Sequence, residues 1–222
     1  MNDKLIIFDL DNTILNGDSD YSWIKFMIDS GNVNYEEYSK KNDYFYEQYY
    51  LGKLDYHEWA LFVLSTFSGK TPDQLEKLLV EFLNSIIEPM INIYALRLLH
   101  EHSHDNDFML LASATNSVIV KPIAERLGFK NIIATEVEII DGKYTGNIVG
   151  ESALGSGKLN KVKDWMNKHG FRNFENTTFY SDSINDLPLL SAVSNPIGVN
   201  PDEQLRAICW ESDWEIIELP IH

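Results

Sequence analysis

The run Lys4-Leu-Ile-Ile-Phe8, closed by Asp9-Leu10-Asp11-Asn12-Thr13, constrains this chain more than any other stretch. It is too short to stand as a helix, and its alternating faces are both apolar, so it must be covered on both sides. That is the pattern of a buried strand in a parallel sheet. Such a strand delivers whatever follows it to the carboxyl edge, where open α/β sheets bind ligands. Here it delivers aspartates two residues apart, which in an extended segment would point the same way.

The other layers can be placed around that strand. Residues from about 20 to about 88 are rich in Tyr, Trp, Phe, Glu and Lys at helical spacing. Gly31, Gly52 and Ser68-Gly69 punctuate them, and Thr71-Pro72-Asp73 reads as a helix start. Three or four helices are expected there, with Trp23, Phe26 and the tyrosines from Tyr35 to Tyr50 in their core. A helix follows Pro89 toward His100. Strands are then predicted at Phe108–Ala112, Asn131–Ala134, Thr177–Tyr180, Pro196–Val199 and Glu215–Ile217. Helices are predicted at Ser117–Leu127, Leu159–His169, Asn185–Ser191 and Glu203–Cys209, and Asp141-Gly142 centres a hairpin over Glu136–Ile148. Strands alternating with helices predict an α/β fold, a doubly wound parallel sheet with an inserted small helical domain. The expected division is a core of residues 1–17 plus 89–222 and a helical insertion of residues 18–88.

The formal charge is −16, from 34 acids against 18 bases. A chain this acidic lacks the electrostatic footprint of a nucleic-acid or anionic-membrane binder, and neither partner is expected. It also repels anions at long range, so an anion site needs positive charge of its own. Cys209 is the only cysteine, which excludes an intrachain disulfide and suits a reducing, cytoplasmic setting. No stretch has the length and apolarity of a signal peptide or membrane span. A monomer or homodimer is expected.

Polar clusters follow three predicted strands: Asp9 to Thr13, Ser113, and Asp182-Ser183-Ile184-Asn185-Asp186, while Lys158 sits near a helix start. On a parallel sheet the strand-end clusters meet along one edge. Two like charges ~4 Å apart repel by roughly 4 kcal/mol at an effective dielectric near 20. A divalent cation is the natural compensation, and oxygen ligands favour magnesium. With Lys158 it would make a seat for a phosphate dianion. One aspartate could then attack phosphorus while the other handles protons. An EF-hand reading of Asp9–Thr13 fails because Ile14 stands where glycine is required, and a P-loop reading of Gly155-Ser156-Gly157-Lys158 fails at Ser152 and Leu159. His100, His102 and His104 alternate around a helix end and are expected to be solvated there.

The pieces FDLDNT, LLASAT, GSGK and YSDSINDLPLL occur in that order across nearly the whole chain. In them the sequence resembles the haloacid dehalogenase superfamily, in its phosphoserine-phosphatase-like branch. VKPIAERLGFKNIIATEVE, GKYTGNI and NPIGVNPDEQLRAI resemble members of that branch, bacterial histidinol-phosphatases among them. The resemblance implies a Rossmann-like core with a small helical cap, and magnesium-dependent hydrolysis of a small-molecule phosphate monoester through an aspartyl phosphate. It implies Asp9 as nucleophile and metal ligand, and Asp11 as acid/base and metal ligand through its carbonyl. Ser113, Lys158 and Asn185 would hold the phosphate. Asp182 would ligate the metal, with Asp186 as a further ligand or support, and Thr13 would order the first loop. Ser156 departs from the branch, which commonly has Glu there.

The same resemblance places an acid soon after the first motif on the substrate amine. Asp18 sits at that place, with Asp20 close by. A cap arginine after a Gly-Lys-Leu turn holds the substrate carboxylate in the phosphoserine enzymes. Here, after Gly52-Lys53-Leu54, Leu61 takes that place, and no arginine precedes Arg97. An amine site kept and a carboxylate site lost implies an amino-alcohol phosphate such as histidinol phosphate. The rival readings are a phosphoserine phosphatase, a signalling receiver that accepts phosphoryl on Asp, and a phosphotransferase.

Overall fold

The first strand, β1 (Leu5–Phe8), is buried on both faces, as its composition requires. In the computed structural model, which describes the chain apart from residues 1–3, 52, 105–106 and 221–222 and the side chains of 49 and 50, Ile6 and Phe8 join one core and Leu5 and Ile7 another. Around β1 stand β2 (Phe108–Asn116), β3 (Asn131–Thr135), β6 (Thr177–Ser181), β7 (Asn195–Val199) and β8 (Glu215–Ile217). They form a six-stranded sheet in the order β3-β2-β1-β6-β7-β8, parallel throughout. A separate hairpin pairs β4 (Val137–Ile140) with β5 (Lys143–Ile148). Asp141 (φ 51) and Gly142 (φ 75) turn it, the left-handed pair of a type I′ turn.

Between β1 and β2 run α1 (Ser19–Asp29), α2 (Tyr35–Tyr50), α3 (Tyr56–Ser65) and α4 (Pro72–Phe82). α4 continues through a π-helical turn (Leu83–Ile87) into α5 (Glu88–Met90). Thr71 and Gln74 close a capping box at the start of α4. The two chain crossings that join this helical stretch to the sheet lie side by side. Leu15 bridges Ile91 in antiparallel fashion, Asn16 N donates to Met90 O at 2.7 Å, and Asn92 N donates to Ile14 O at 2.9 Å. Farther out, Gly69 N donates to Tyr144 O at 2.8 Å and Tyr144 N to Lys70 O at 2.9 Å, which fixes the helical stretch to the hairpin. Trp23 (0% exposed) fills its centre against Phe26, Phe67 and Phe82.

The remaining helices cover the sheet: α6 (Ile93–His104), α7 (Ser117–Arg126), α8 (Ser156–Lys168), α9 (Leu187–Leu190) and α10 (Glu203–Ser212). Three expectations change. The strand expected to end at Ala112 runs on to Asn116, with its register against β3 shifting between Ala112 and Asn116. Such an irregularity re-aims side chains at a sheet edge. The tyrosines of α2 are not uniformly core: Tyr35, Tyr44 and Tyr46 are exposed, while α2 turns Asn42 and Phe45 inward. His102 is not solvated. Its ring meets Phe8 and Tyr180, Nδ1 lies 2.8 Å from Asp107 Oδ2, and Nε2 lies 3.0 Å from Tyr180 Oη. It points at the sheet on which α6 packs, which the alternation of histidines in sequence does not reveal.

Candidate active site

From β1 the chain builds one half of the sheet through β2 and β3, then crosses to β6 on the other side of β1. The strand order therefore reverses between β1 and β6, and the crevice beyond that point is where such sheets take ligands. Asp9 opens the loop after β1, and its N–H donates to Tyr180 O of β6 at 2.9 Å. Asp182 follows the last residue of β6. The two strand-end acids thus face one crevice.

Lys158 is the positive centre. It is 2% exposed, and its Nζ donates to Asp9 Oδ1 at 2.9 Å and to Asp186 Oδ2 at 2.7 Å. Burial works against its charge, but Asp186 and Asp9 outweigh it and hold the ammonium above its ordinary range. The start of α8 is seated by Gly157, where a Cβ would lie 2.0 Å from Ser152 O. Any larger residue would force the backbone beside Lys158 to shift. Ser156, the departure from the branch, is exposed and belongs to none of these contacts. Ser181 Oγ donates to Asp186 at 2.7 Å and fixes it from below.

Asp11 is placed by other means than expected. Residues 11–14 form a turn with Asn12 at φ 53, so strand alternation does not aim the aspartate pair. Asp11 is instead oriented by Ser19 N at 2.7 Å and by Thr115 Oγ1 at 2.7 Å. Burial pushes its carboxyl up to about 7, with the Asp18 charge adding to the rise. Burial also pushes Asp9 up to about 7; Lys158 opposes the rise, while Asp186 and Asp11 add to it. Asp182 is pushed well up by burial, then by Asp9 and Asp186, and takes a hydrogen bond from Thr13 Oγ1 at 3.3 Å. Among the described residues no lysine, arginine or histidine pairs with Asp182.

Ser113, 1% exposed, accepts from Thr115 N at 3.1 Å, which leaves its hydroxyl proton free to donate. Asp18 caps α1 by accepting from Tyr21 N at 2.7 Å, and burial raises its carboxyl. Asp20 is buried and accepts from Asn116 Nδ2 at 2.8 Å. Burial, then Asp18 and Asp11, push Asp20 well up. Asn185 Nδ2 donates to Tyr56 Oη at 2.8 Å. Leu61 is half-buried in the middle of α3, and Tyr56 is the α3 side chain bonded to the site. Gly52 lies outside the described residues.

Sequence reasoning missed Thr115, Asn116, Ser181 and Tyr56. Thr115 and Ser181 stood inside the motif strings and needed only a hydrogen-bond partner to be recognised. Asn116 and Tyr56 carried no motif.

Among the described residues no three acidic, histidine or cysteine side chains converge as a ready-made metal cage. Magnesium does not require one, since it binds through one or two carboxylates and keeps several waters. Asp9 and Asp182, with all-oxygen chemistry and a carboxylate excess that Lys158 does not cancel, fit that demand.

Comparison with known proteins agrees with this geometry. The family model for haloacid dehalogenase-like hydrolases matches residues 6–191. The chain is 38% identical to a histidinol-phosphatase of Neisseria meningitidis, covering 96% of this chain and 98% of that one. It is 32% identical to the phosphoserine phosphatase SerB1 of Mycobacterium tuberculosis, covering 96% of this chain and 70% of that one. A crystal structure of a Bordetella pertussis protein of unknown function superposes with a TM-score of 0.93 at 36% identity, over 99% of this chain and 100% of that one. No helix among the described residues is long and apolar enough to cross a membrane. With the switch-point acids, the buried lysine and the matched family model together, the chain belongs to the haloacid dehalogenase-like hydrolases, in their phosphoserine-phosphatase-like branch.

Proposed function

We propose that this phosphatase hydrolyses the phosphate monoester of a small amino alcohol, with Asp9 as covalent nucleophile and magnesium as cofactor. The observation that carries the reading is Lys158 Nζ held between Asp9 and Asp186 at the strand-order reversal. Asp9 attacks phosphorus, the bond from phosphorus to the leaving oxygen breaks, and Asp11 gives that oxygen its proton. Asp11 then takes a proton from water as the water attacks the aspartyl phosphate. The acyl-phosphate bond breaks and inorganic phosphate leaves. An acid held near neutrality suits both halves of that task. Lys158, Ser113 and Asn185 hold the phosphate oxygens. Magnesium, seated by Asp9, Asp182 and the Asp11 carbonyl with Asp186 supporting them, would add positive charge against the same oxygens.

We read residues 18–88 as a cap, joined to the core by the paired crossings at Leu15 and Ile91. Asp18 offers its carboxyl to a substrate amine, whose positive charge would favour the ionised form against burial, with Asp20 two residues on. Leu61 offers nothing to a substrate carboxylate. The histidinol-phosphatase relative makes histidinol phosphate the first substrate to test. In a phosphate-release panel with magnesium, histidinol phosphate is expected to exceed phosphoserine by at least ~10-fold in kcat/KM, because a desolvated carboxylate without a partner costs ~1–3 kcal/mol or more. Phosphoserine as the best substrate would overturn the argument from Leu61.

The carboxyls of Asp9 and Asp11 also set a pH dependence of stability. Both folded values, about 7, lie above the ordinary 3.8, so the folded state binds more protons between those limits. Stability without metal therefore falls as pH rises from about 4 through about 7. In a chelator the melting temperature is expected to be lower at pH 8 than at pH 5.5, and magnesium should raise it more at pH 8. A chelated melting temperature that rises with pH across that window would contradict this.

A further inference from the structure

The Asn185 side chain is bonded to a residue that no motif marked. Its Nδ2 donates to Tyr56 Oη at 2.8 Å across a sequence separation of 129. Tyr56 is the first residue of α3, and the start of that helix is locked by Asp55, which accepts from His57 N and Glu58 N. Within its own turn, Asn185 N donates to Ser183 Oγ at 3.2 Å. The next residue, Asp186, grips Lys158. This hydrogen bond joins the helical insertion to the turn that carries Asn185 and Asp186.

A side-chain amide has two N–H donors on one plane. Engaging one of them with Tyr56 Oη fixes the direction of the other. We propose that Tyr56 is a positioning residue for phosphate capture: its hydroxyl holds the Asn185 amide so that the second N–H faces the phosphate, and it does so when α3 is seated over the crevice. This rests on the phosphatase reading of the site. The hydroxyl lies among acids as well. Burial holds its proton on, and Asp18, Asp202 and Asp182 add to that effect. Tyr56 therefore stays neutral in the working range and keeps its place as acceptor for the amide.

Phosphate binding by the magnesium-loaded protein tests this without needing turnover. Calorimetry with inorganic phosphate should show Tyr56→Phe binding about 3- to 10-fold more weakly than wild type, the worth of one ordinary hydrogen bond. In turnover of an aryl phosphate, the same variant should raise KM by a similar factor with kcat nearly unchanged, the mark of binding shared by ground and transition states. Asn185→Ala should weaken phosphate binding at least as much, and adding Tyr56→Phe to it should cost nothing further, because the two act as one unit. Matching melting temperatures for Tyr56→Phe and wild type would exclude a folding defect.

Equal phosphate affinity for Tyr56→Phe and wild type overturns the proposal, as do losses that add in the double variant. Turnover that survives loss of the Asp9 carboxylate would overturn the reading of the site, while the phosphate-binding comparison would still decide the role of Tyr56. A wild-type protein that binds no phosphate would overturn both.

Discussion

Replacing Asp9 by Asn is expected to reduce phosphate release from an aryl phosphate by at least ~10⁴-fold, the scale on which loss of a covalent nucleophile is felt. The substitution keeps the shape of the side chain and removes its nucleophilic charge. Two consequences separate a chemical loss from a structural one. The protein should keep its melting temperature in the absence of metal. Asp9 is held against burial and against the charges of Asp186 and Asp11, so a neutral amide relieves repulsion even as it gives up the Lys158 ion pair. Acid-quenched Asp9→Asn protein should also carry no base-labile phosphate, where wild type is expected to carry some. Undiminished turnover by Asp9→Asn would remove the covalent mechanism.

Replacing Lys158 by Met is expected to damage stability and catalysis together. The substitution keeps an unbranched stem of similar length beside Phe179, whose ring centroid lies 5.7 Å from Nζ, and removes the ammonium. Asp9 (7% exposed) and Asp186 (2% exposed) are then left without their cation. Removing one partner of a buried ion pair typically costs ~3–5 kcal/mol. For a chain of this size that lowers the melting temperature by roughly 6–20 °C. The carboxylates can escape part of the cost by taking up protons, so the drop should be smaller at pH 5.5 than at pH 8. Phosphate release should fall by ~10³-fold, because a charge placed before the reaction begins is lost from the transferring group. A melting temperature within ~2 °C of wild type at pH 8 would show that the Lys158 bridge does not hold the site together.

Lys158 also marks the line between what is legible in one dimension and what is not. Periodicity reports burial, so β1, the parallel sheet, the helical insertion and the Asp141-Gly142 turn could be read directly from apolar spacing and turn chemistry. Because strands in a parallel sheet end on one edge, the sequence by itself also determined that Asp9, Ser113 and Asp182 would gather there. It could not determine which atoms meet. The contacts of Lys158 with Asp9, 149 residues away, and of Asn185 with Tyr56, 129 residues away, depend on strand order and on how the insertion seats over the sheet. No local pattern encodes either. Asp11 is aimed by a turn and two donors, not by the strand alternation that the spacing suggested. His102 shows the same limit from the other side. Its neighbours in sequence suggested water, and only the packing of α6 on Phe8 and Tyr180 turned its ring inward. Hydrophobic spacing specifies which face of an element is buried, and tertiary packing decides what that face is buried against.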